Sequence, residues 1–102
     1  MKVENFYNKN QFIIRGEGKT IFQSYQSEIA EISKDGKLTL GIDWDYSITT
    51  LKHLYLFLND YIQLLNNEIQ KYIRELSTKR NKKLYIQKLI NNDIIKYNEK
   101  MQ

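Results

Sequence analysis

Residues 34–42, with the sequence KDGKLTLGI, decide the fold class of this chain. Within them Leu38, Leu40 and Ile42 alternate with Lys, Thr and Gly, the pattern of an antiparallel strand with one buried face. The Asp-Gly pair before this strand is a tight-turn signal, because glycine adopts positive φ without strain and aspartate tolerates it. The chain before the turn is therefore predicted to fold back as the partner strand of a β-hairpin.

The segment before the turn, residues 27–33, fits two structures. Ile29 and Ile32 lie three residues apart, and so do Glu28 and Glu31, a spacing that a short helix also shows. We favour a strand, because the Asp-Gly turn needs a partner strand and a hairpin supplies it locally.

Further strands are predicted on the N-terminal side of this hairpin. Residues 11–15 and 19–25 are short and rich in Ile, Phe, Thr and Tyr, and glycines separate them. The first ten residues contain Val3, Phe6 and Tyr7, so they either add an edge strand or pack across the sheet. Residues 1–46 are therefore predicted to form a small antiparallel sheet of three to five strands.

The second half of the chain has a helical period. From residue 51 onward the apolar residues recur at intervals of three and four, the mark of an amphipathic helix. They are Leu51, Leu54, Leu58, Tyr61, Ile62, Leu65, Ile69, Tyr72, Ile73 and Leu76. One helix over residues 50–76 is predicted, roughly 40 Å long at ~1.5 Å per residue. Ser47, Thr49 or Thr50 is expected to cap its N-terminus.

A second apolar stripe runs from Leu84 to Tyr97 and leaves two architectures open. The polar residues 77–83 are long enough to turn the chain back, which gives an αα-hairpin, the interpretation that we favour. They contain neither Gly nor Pro, so one continuous helix of about fifty residues, paired with a second copy of itself, is the alternative. The predicted fold class is α+β, in a single domain over residues 1–102 with its helical part at 49–102.

Composition and charge limit the function. The absence of cysteine excludes disulfides, thiolate metal sites and cysteine nucleophiles, and no stretch approaches the ~18 continuous apolar residues that cross a bilayer. These features predict a cytoplasmic protein without a membrane partner. The net charge of +4 comes from residues 51–102, which hold ten Lys and Arg against five Asp and Glu, and residues 71–88 are the densest part. Such a tract attracts polyanions or acidic protein surfaces.

The catalytic and metal-binding motifs in this chain are incomplete. The Gly-Lys-Thr triplet at 18–20 imitates the end of a phosphate-binding loop, but the glycine that the loop needs five residues earlier is absent. Asp43 and Asp45 supply only two ligands for a hard cation. His53, the only histidine, has no companion residues for a zinc site or a catalytic triad. We therefore expect no cofactor and no enzymatic activity.

Four short runs in the middle of the chain resemble a known pattern. They are FQSY at 22–25, IAEI at 29–32, WDYSITTLKH at 44–53 and FL at 57–58. This pattern is similar to that of a family of small uncharacterised proteins encoded by bacteriophages and mobile elements of low-GC bacteria. The resemblance covers about residues 20–58 and brings no assigned chemistry with it. It implies a phage context, in which small proteins commonly inhibit or adapt other proteins, host defence systems such as CRISPR effectors among them.

The first hypothesis of function is that the protein binds a host or phage protein, as an accessory factor or as an inhibitor of host defence of the anti-CRISPR type. Its contacts are expected from the helical hairpin and from the corner that includes Trp44, Tyr46 and His53. The alternative is a nucleic-acid-binding module, because basic side chains hold phosphates and tyrosine rings stack on bases. The basic residues expected to make contact are Lys79, Arg80, Lys82 and Lys83. A homodimer through the helices, with Leu65 and Ile69 in its seam, is a third interpretation.

Overall fold

The computed structural model describes residues 1–101, which form a six-stranded sheet and three α-helices. The strands are β1 (Lys2–Phe6), β2 (Asn8–Gly16), β3 (Lys19–Ser24), β4 (Ser27–Ile32), β5 (Leu38–Gly41) and β6 (Lys96–Asn98). The helices are α1 (Ile48–Asp60), α2 (Asn67–Leu76) and α3 (Lys82–Asn91), with a 3-10 turn (Ile62–Leu64) between α1 and α2. The predicted α+β class is therefore confirmed.

The strands lie in the sheet in their order along the chain. β1 to β5 form an antiparallel meander, and β6 pairs with β5 in parallel, with Leu40 opposite Tyr97. The prediction of a strand at 27–33 is confirmed, and of the two alternatives for the first ten residues the structure shows the edge strand, β1. The sheet has six strands, one more than the largest number predicted. The additional strand, β6, makes the sheet mixed because it pairs in parallel.

The prediction of one helix over residues 50–76 is wrong, and so is the continuous helix of about fifty residues. α1 ends at Asp60, and Leu65 is extended, with φ −80° and ψ 150°. Asn66 then caps α2, because its side chain accepts a hydrogen bond from the Ile69 amide at 3.0 Å. The Asn66 amide donates to the Gly36 carbonyl at 3.0 Å, so the turn between β4 and β5 holds the break in place.

The second predicted helix also ends earlier than its apolar stripe indicated. α3 stops at Asn91, and Asp93 takes a left-handed conformation with φ 59°. The amide of Asp93 donates to the Ile90 carbonyl and that of Ile94 to the Leu89 carbonyl, which is the Schellman pattern of a helix C-terminus. The αα-hairpin therefore consists of shorter helices than predicted, and the residues that follow Ile95 form β6 instead of helix.

The helices cover one face of the sheet. On that face Phe22 lies against Phe57 of α1, with ring centroids 5.5 Å apart, and Phe6 is 5.7 Å from Phe22. These side chains are buried, as are Ile13 and Leu40 on neighbouring strands. Burying a large apolar side chain contributes about 1.5–3 kcal/mol, so this cluster is a main source of stability.

The other face of the sheet carries no helix. One row of side chains crosses it from edge to edge, and the register places its members opposite one another: Val3, Ile14, Ile21, Glu31, Thr39 and Lys96. The row is apolar at the β1 end and charged at the β6 end. Among the helices of residues 1–101, none has the length and apolar character to cross a membrane.

Candidate functional site

An open pocket of about 660 Å³ lies at one corner of the sheet. One wall is the turn between β3 and β4, residues 24–27, and Ile29 lies beside it. The opposite wall comes from residues 43–50, where the chain leaves β5 and enters α1. The two walls are about twenty residues apart in sequence, and they meet because β3, β4 and β5 are neighbours in the sheet.

Tyr25 stands on the first wall in a constrained backbone conformation. Its φ is 55°, in the left-handed region that costs a residue with a side chain about 1–2 kcal/mol. Its amide donates to the Asn10 carbonyl at 2.7 Å, which holds the turn against β2. The side chain is nevertheless 62% exposed. The fold therefore maintains backbone strain at a position where the tyrosine ring faces solvent.

The N-terminus of α1 forms the second wall. Ser47, one of the three residues expected to cap the helix, is the cap, and its hydroxyl accepts from the Thr50 amide at 3.1 Å. Asp43 lies just before this cap, and its Oδ2 accepts from the Ser27 hydroxyl at 2.8 Å. This hydrogen bond joins the two walls across the floor of the corner.

The rim of the pocket exposes large side chains. Tyr46 lines the pocket and is 79% exposed, and Ile48, at the first position of α1 between the lining residues Ser47 and Thr49, is 86% exposed. Together with Tyr25 they place two aromatic rings and one aliphatic side chain in water at one corner. Such residues bury much apolar surface when a partner covers them. We call Tyr25, Tyr46 and Ile48 the corner rim.

His53 and Trp44, two of the predicted contact residues, lie inside the protein. His53 is 7% exposed, its Nδ1 lies 2.9 Å from the Thr49 carbonyl and its Nε2 lies 3.3 Å from the Asn8 side-chain amide. A neutral ring that donates from Nδ1 and accepts at Nε2 satisfies both contacts. Trp44 is 3% exposed and belongs to the core. Both side chains support the corner from within, and their roles in partner binding stay predictions.

Asp43 and Asp45 line two different pockets. Asp43 lines the corner pocket, whereas Asp45 lines a smaller pocket of about 300 Å³ beside Trp44 and Tyr97. Asp45 Oδ2 lies 3.5 Å from Lys83 Nζ. Within residues 1–101 no group of three or more His, Asp or Glu side chains could hold a metal ion.

The basic residues Lys79, Arg80, Lys82 and Lys83 occupy the turn between α2 and α3 and the first residues of α3. We call these four residues the basic turn. Lys79 Nζ lies 5.0 Å from the centroid of the Tyr85 ring, a cation–π contact. The Tyr85 hydroxyl donates to Glu75 at 3.0 Å. Burial and this hydrogen bond raise the pKa of Tyr85 to about 12.

The structure thus separates the predicted contact residues into two groups. Tyr46 lines the corner pocket while Trp44 and His53 are buried, and the basic turn is a second surface, linked through the Lys83 to Asp45 ion pair to the residue before Tyr46. The sequence analysis did not identify Tyr25 as a contact residue. A signal was present, because the runs at 22–25 and 44–53 contribute to the two walls of the pocket.

Comparison with known proteins gives one positive finding. No curated protein matches the chain, and no solved structure does. One family model matches residues 1–77, three quarters of the chain, and carries the description of a family of unknown function. Those residues include the whole corner pocket and end before the basic turn. The chain therefore belongs to the family of unknown function DUF8033.

Proposed function

We propose that this protein acts by binding a partner protein at the corner pocket and its rim. The observation that carries the proposal is the corner rim: two exposed tyrosines line a pocket of about 660 Å³, and the exposed Ile48 lies between two further lining residues, Ser47 and Thr49. Tyrosine is enriched at the energetic centres of protein interfaces, because its ring brings large contact area and only two side-chain torsions to order.

Two further features support the corner as the binding surface. The hydrogen bond from the Tyr25 amide to the Asn10 carbonyl fixes the backbone from which the exposed Tyr25 ring projects. The match of the family model over residues 1–77 includes both walls, so the corner belongs to the part of the chain that defines the family. The finer proposal, a phage protein that inhibits host defence, rests on the resemblance of residues 20–58 alone.

Site-specific photocrosslinking tests the proposal. A benzophenone amino acid replaces Tyr46 in one variant and Leu64 in a control variant, since Leu64 is also exposed but lies in the 3-10 turn between α1 and α2. In lysate of a bacterium that encodes the protein, position 46 should give one dominant crosslinked protein and position 64 should not. The substitution Ile48→Ser should weaken capture of that same protein. Equal crosslinking from both positions, or none from position 46, would overturn the proposal.

The basic turn supports a second candidate, binding of nucleic acid. Four cations lie within five residues, and among the described residues only Lys83 of the four has a carboxylate within 4.0 Å. In a mobility-shift assay across salt, replacing the four by Gln should lower the salt slope by about 3 to 4, close to one unit for each lost phosphate contact on duplex DNA. An unchanged slope would remove this candidate.

A further inference from the structure

We infer that the partner inserts a basic side chain, arginine or lysine, into the corner pocket. The inference rests on the proposed function and specifies the chemistry that the pocket recognises. The cation would lie beside the Asp43 carboxylate, with the rings of Tyr25 and Tyr46 on the rim packing along the side chain.

The charge of the pocket favours a cation. Asp43 is the one formally charged residue of the lining, and the lining contains no lysine or arginine among residues 1–101. Ser27 donates to Asp43 Oδ2 only, and a carboxylate has about four lone-pair sites, so Asp43 can accept further hydrogen bonds. A guanidinium or ammonium group supplies donors and positive charge at the same point.

The aromatic rim suits the same ligand. Tyrosine faces attract a cation within about 6 Å of the ring centroid. This chain makes that contact twice elsewhere, with Arg15 at 5.1 Å from the Tyr61 ring and Lys79 at 5.0 Å from the Tyr85 ring. Tyr25 and Tyr46 have no such cation in the described part of the chain and are mostly exposed. The apolar stem of arginine or lysine would cover ring surface as the charge reaches the pocket.

An anionic ligand fits the corner less well. The N-terminus of α1 would attract an anion, but Ser47 already occupies one of its amides, that of Thr50. A phosphate or carboxylate placed there would also face Asp43, and like charges at short range repel. The formal charge of the lining, carried by Asp43 alone, therefore favours a cationic group over an anionic one.

Binding of small probes tests this inference separately from partner capture. The probes are acetyl-arginine amide, acetyl-lysine amide, acetyl-citrulline amide, which is neutral and similar in shape to arginine, and acetyl-glutamate amide. With tyrosine rings labelled for NMR, the two basic probes should shift the resonances of Tyr25 and Tyr46 and bind at least about fivefold more tightly than citrulline. The glutamate probe should not bind.

The variant Asp43→Asn tests how much the negative charge of Asp43 contributes to the affinity for the basic probes. Its side-chain oxygen can still accept the Ser27 hydrogen bond, so the fold should stay intact, as an unchanged amide spectrum outside the corner would show. Affinity for the basic probes should fall about fivefold or more, whereas Asp35→Asn, an exposed change in the turn between β4 and β5, should leave it unchanged. Equal affinity for citrulline, tighter binding of glutamate, no binding of the basic probes, or no effect of Asp43→Asn would overturn the inference. Partner crosslinking from position 46 would remain a valid test of the proposed function in each case.

Discussion

The corner pocket and the basic turn are the two candidate surfaces of this protein, and they are built in opposite ways. The corner joins residues about twenty positions apart through strand register, a left-handed Tyr25 and the Ser27 to Asp43 hydrogen bond. The basic turn is made by neighbours in sequence, held by local caps and surrounded by water. The difference teaches that the corner depends on the pairing of β3, β4 and β5, whereas the basic turn depends mainly on neighbours in sequence.

The largest loss of stability is expected at the turn between β4 and β5, which contacts the start of α2. In Gly36→Ala the added Cβ would lie 2.5 Å from the Asn66 backbone nitrogen, in a residue with φ 83°. Left-handed strain and overpacking together should lower the free energy of unfolding by about 3 kcal/mol, measured by urea denaturation.

Gly18→Ala is the matched control for this change. Gly18 has φ 80°, but the three atoms nearest to the added Cβ belong to the Lys34 side chain, at 3.2–3.3 Å, and none is a backbone atom. The expected loss is about 1 kcal/mol, from backbone strain alone. Similar losses in both variants would show that the contact between Gly36 and Asn66 does not fix the helix break.

Two asparagine caps compare a position held by the sheet, Asn66, with a position in the turn between α2 and α3, Asn81. Asn66 and Asn81 each accept a hydrogen bond at 3.0 Å, from Ile69 and Leu84 respectively. Asn66→Ala should cost about 1.5 kcal/mol, because Ile69 is buried, and Asn81→Ala about 0.5 kcal/mol, because water can replace the cap of exposed Leu84. Thermal or urea unfolding measures both. A larger loss for Asn81→Ala would reverse the contrast between a long-range and a local region.

A smaller effect, confined to alkaline pH, is expected from Tyr85 beside the basic turn. Burial, and then its hydrogen bond to Glu75, raise the pKa of Tyr85 from 10.0 to about 12. The neutral phenol is therefore favoured in the folded state, and this stabilisation is full below pH 10 and is lost as the pH rises toward 12.

Absorbance titration of tyrosinate tests this pKa. The difference between the native protein and Tyr85→Phe should give a midpoint near 12, and Glu75→Gln should lower that midpoint by removing the acceptor carboxylate. A midpoint near 10.0 in the native protein would contradict the contact between α2 and α3.

The smallest change in the free energy of unfolding is expected from substitutions in the basic turn. Lys83→Ala removes an ion pair with Asp45 at 3.5 Å between partly exposed groups and should cost at most about 0.5 kcal/mol, less at high salt. Arg80→Ala, at an exposed position next to it in the turn, should be neutral within about 0.5 kcal/mol. A loss above 1 kcal/mol in either variant would mean that the basic turn supports the fold.

The sheet was predictable from sequence because its signals are local. Alternation at Leu38 and Leu40 and the Asp-Gly turn identify β5 and its hairpin without knowledge of the rest. β6 gave no such signal, since three exposed residues are too short to alternate and their partner strand lies more than fifty residues away. Its pairing is a long-range event.

The helix break was missed because the apolar stripe continues through it. Leu58, Ile62, Leu65 and Ile69 keep intervals of three and four although the chain passes through a 3-10 turn and an extended residue between α1 and α2. Only Asn66 marked a new start, as a capping residue. The predicted dimer seam has the same origin, because Leu65 and Ile69 are buried within one chain. The homodimer itself stays a prediction.

The candidate site was predictable in part. Tyr46 was identified, but Tyr25 belongs to a turn whose relation to residues 43–50 is fixed only by the register of the sheet. The basic turn was found because its residues are adjacent in sequence.

The parallel pairing of β6 with β5 also has a consequence for solubility. β5 carries Leu38 and Leu40, and β6 satisfies the backbone edge that β5 would otherwise present to other molecules. Exposed strand edges of this kind template aggregation. β6, whose three residues are exposed, thus replaces the apolar β5 as the edge strand of the sheet, and a fragment without β6 would expose the backbone edge of β5.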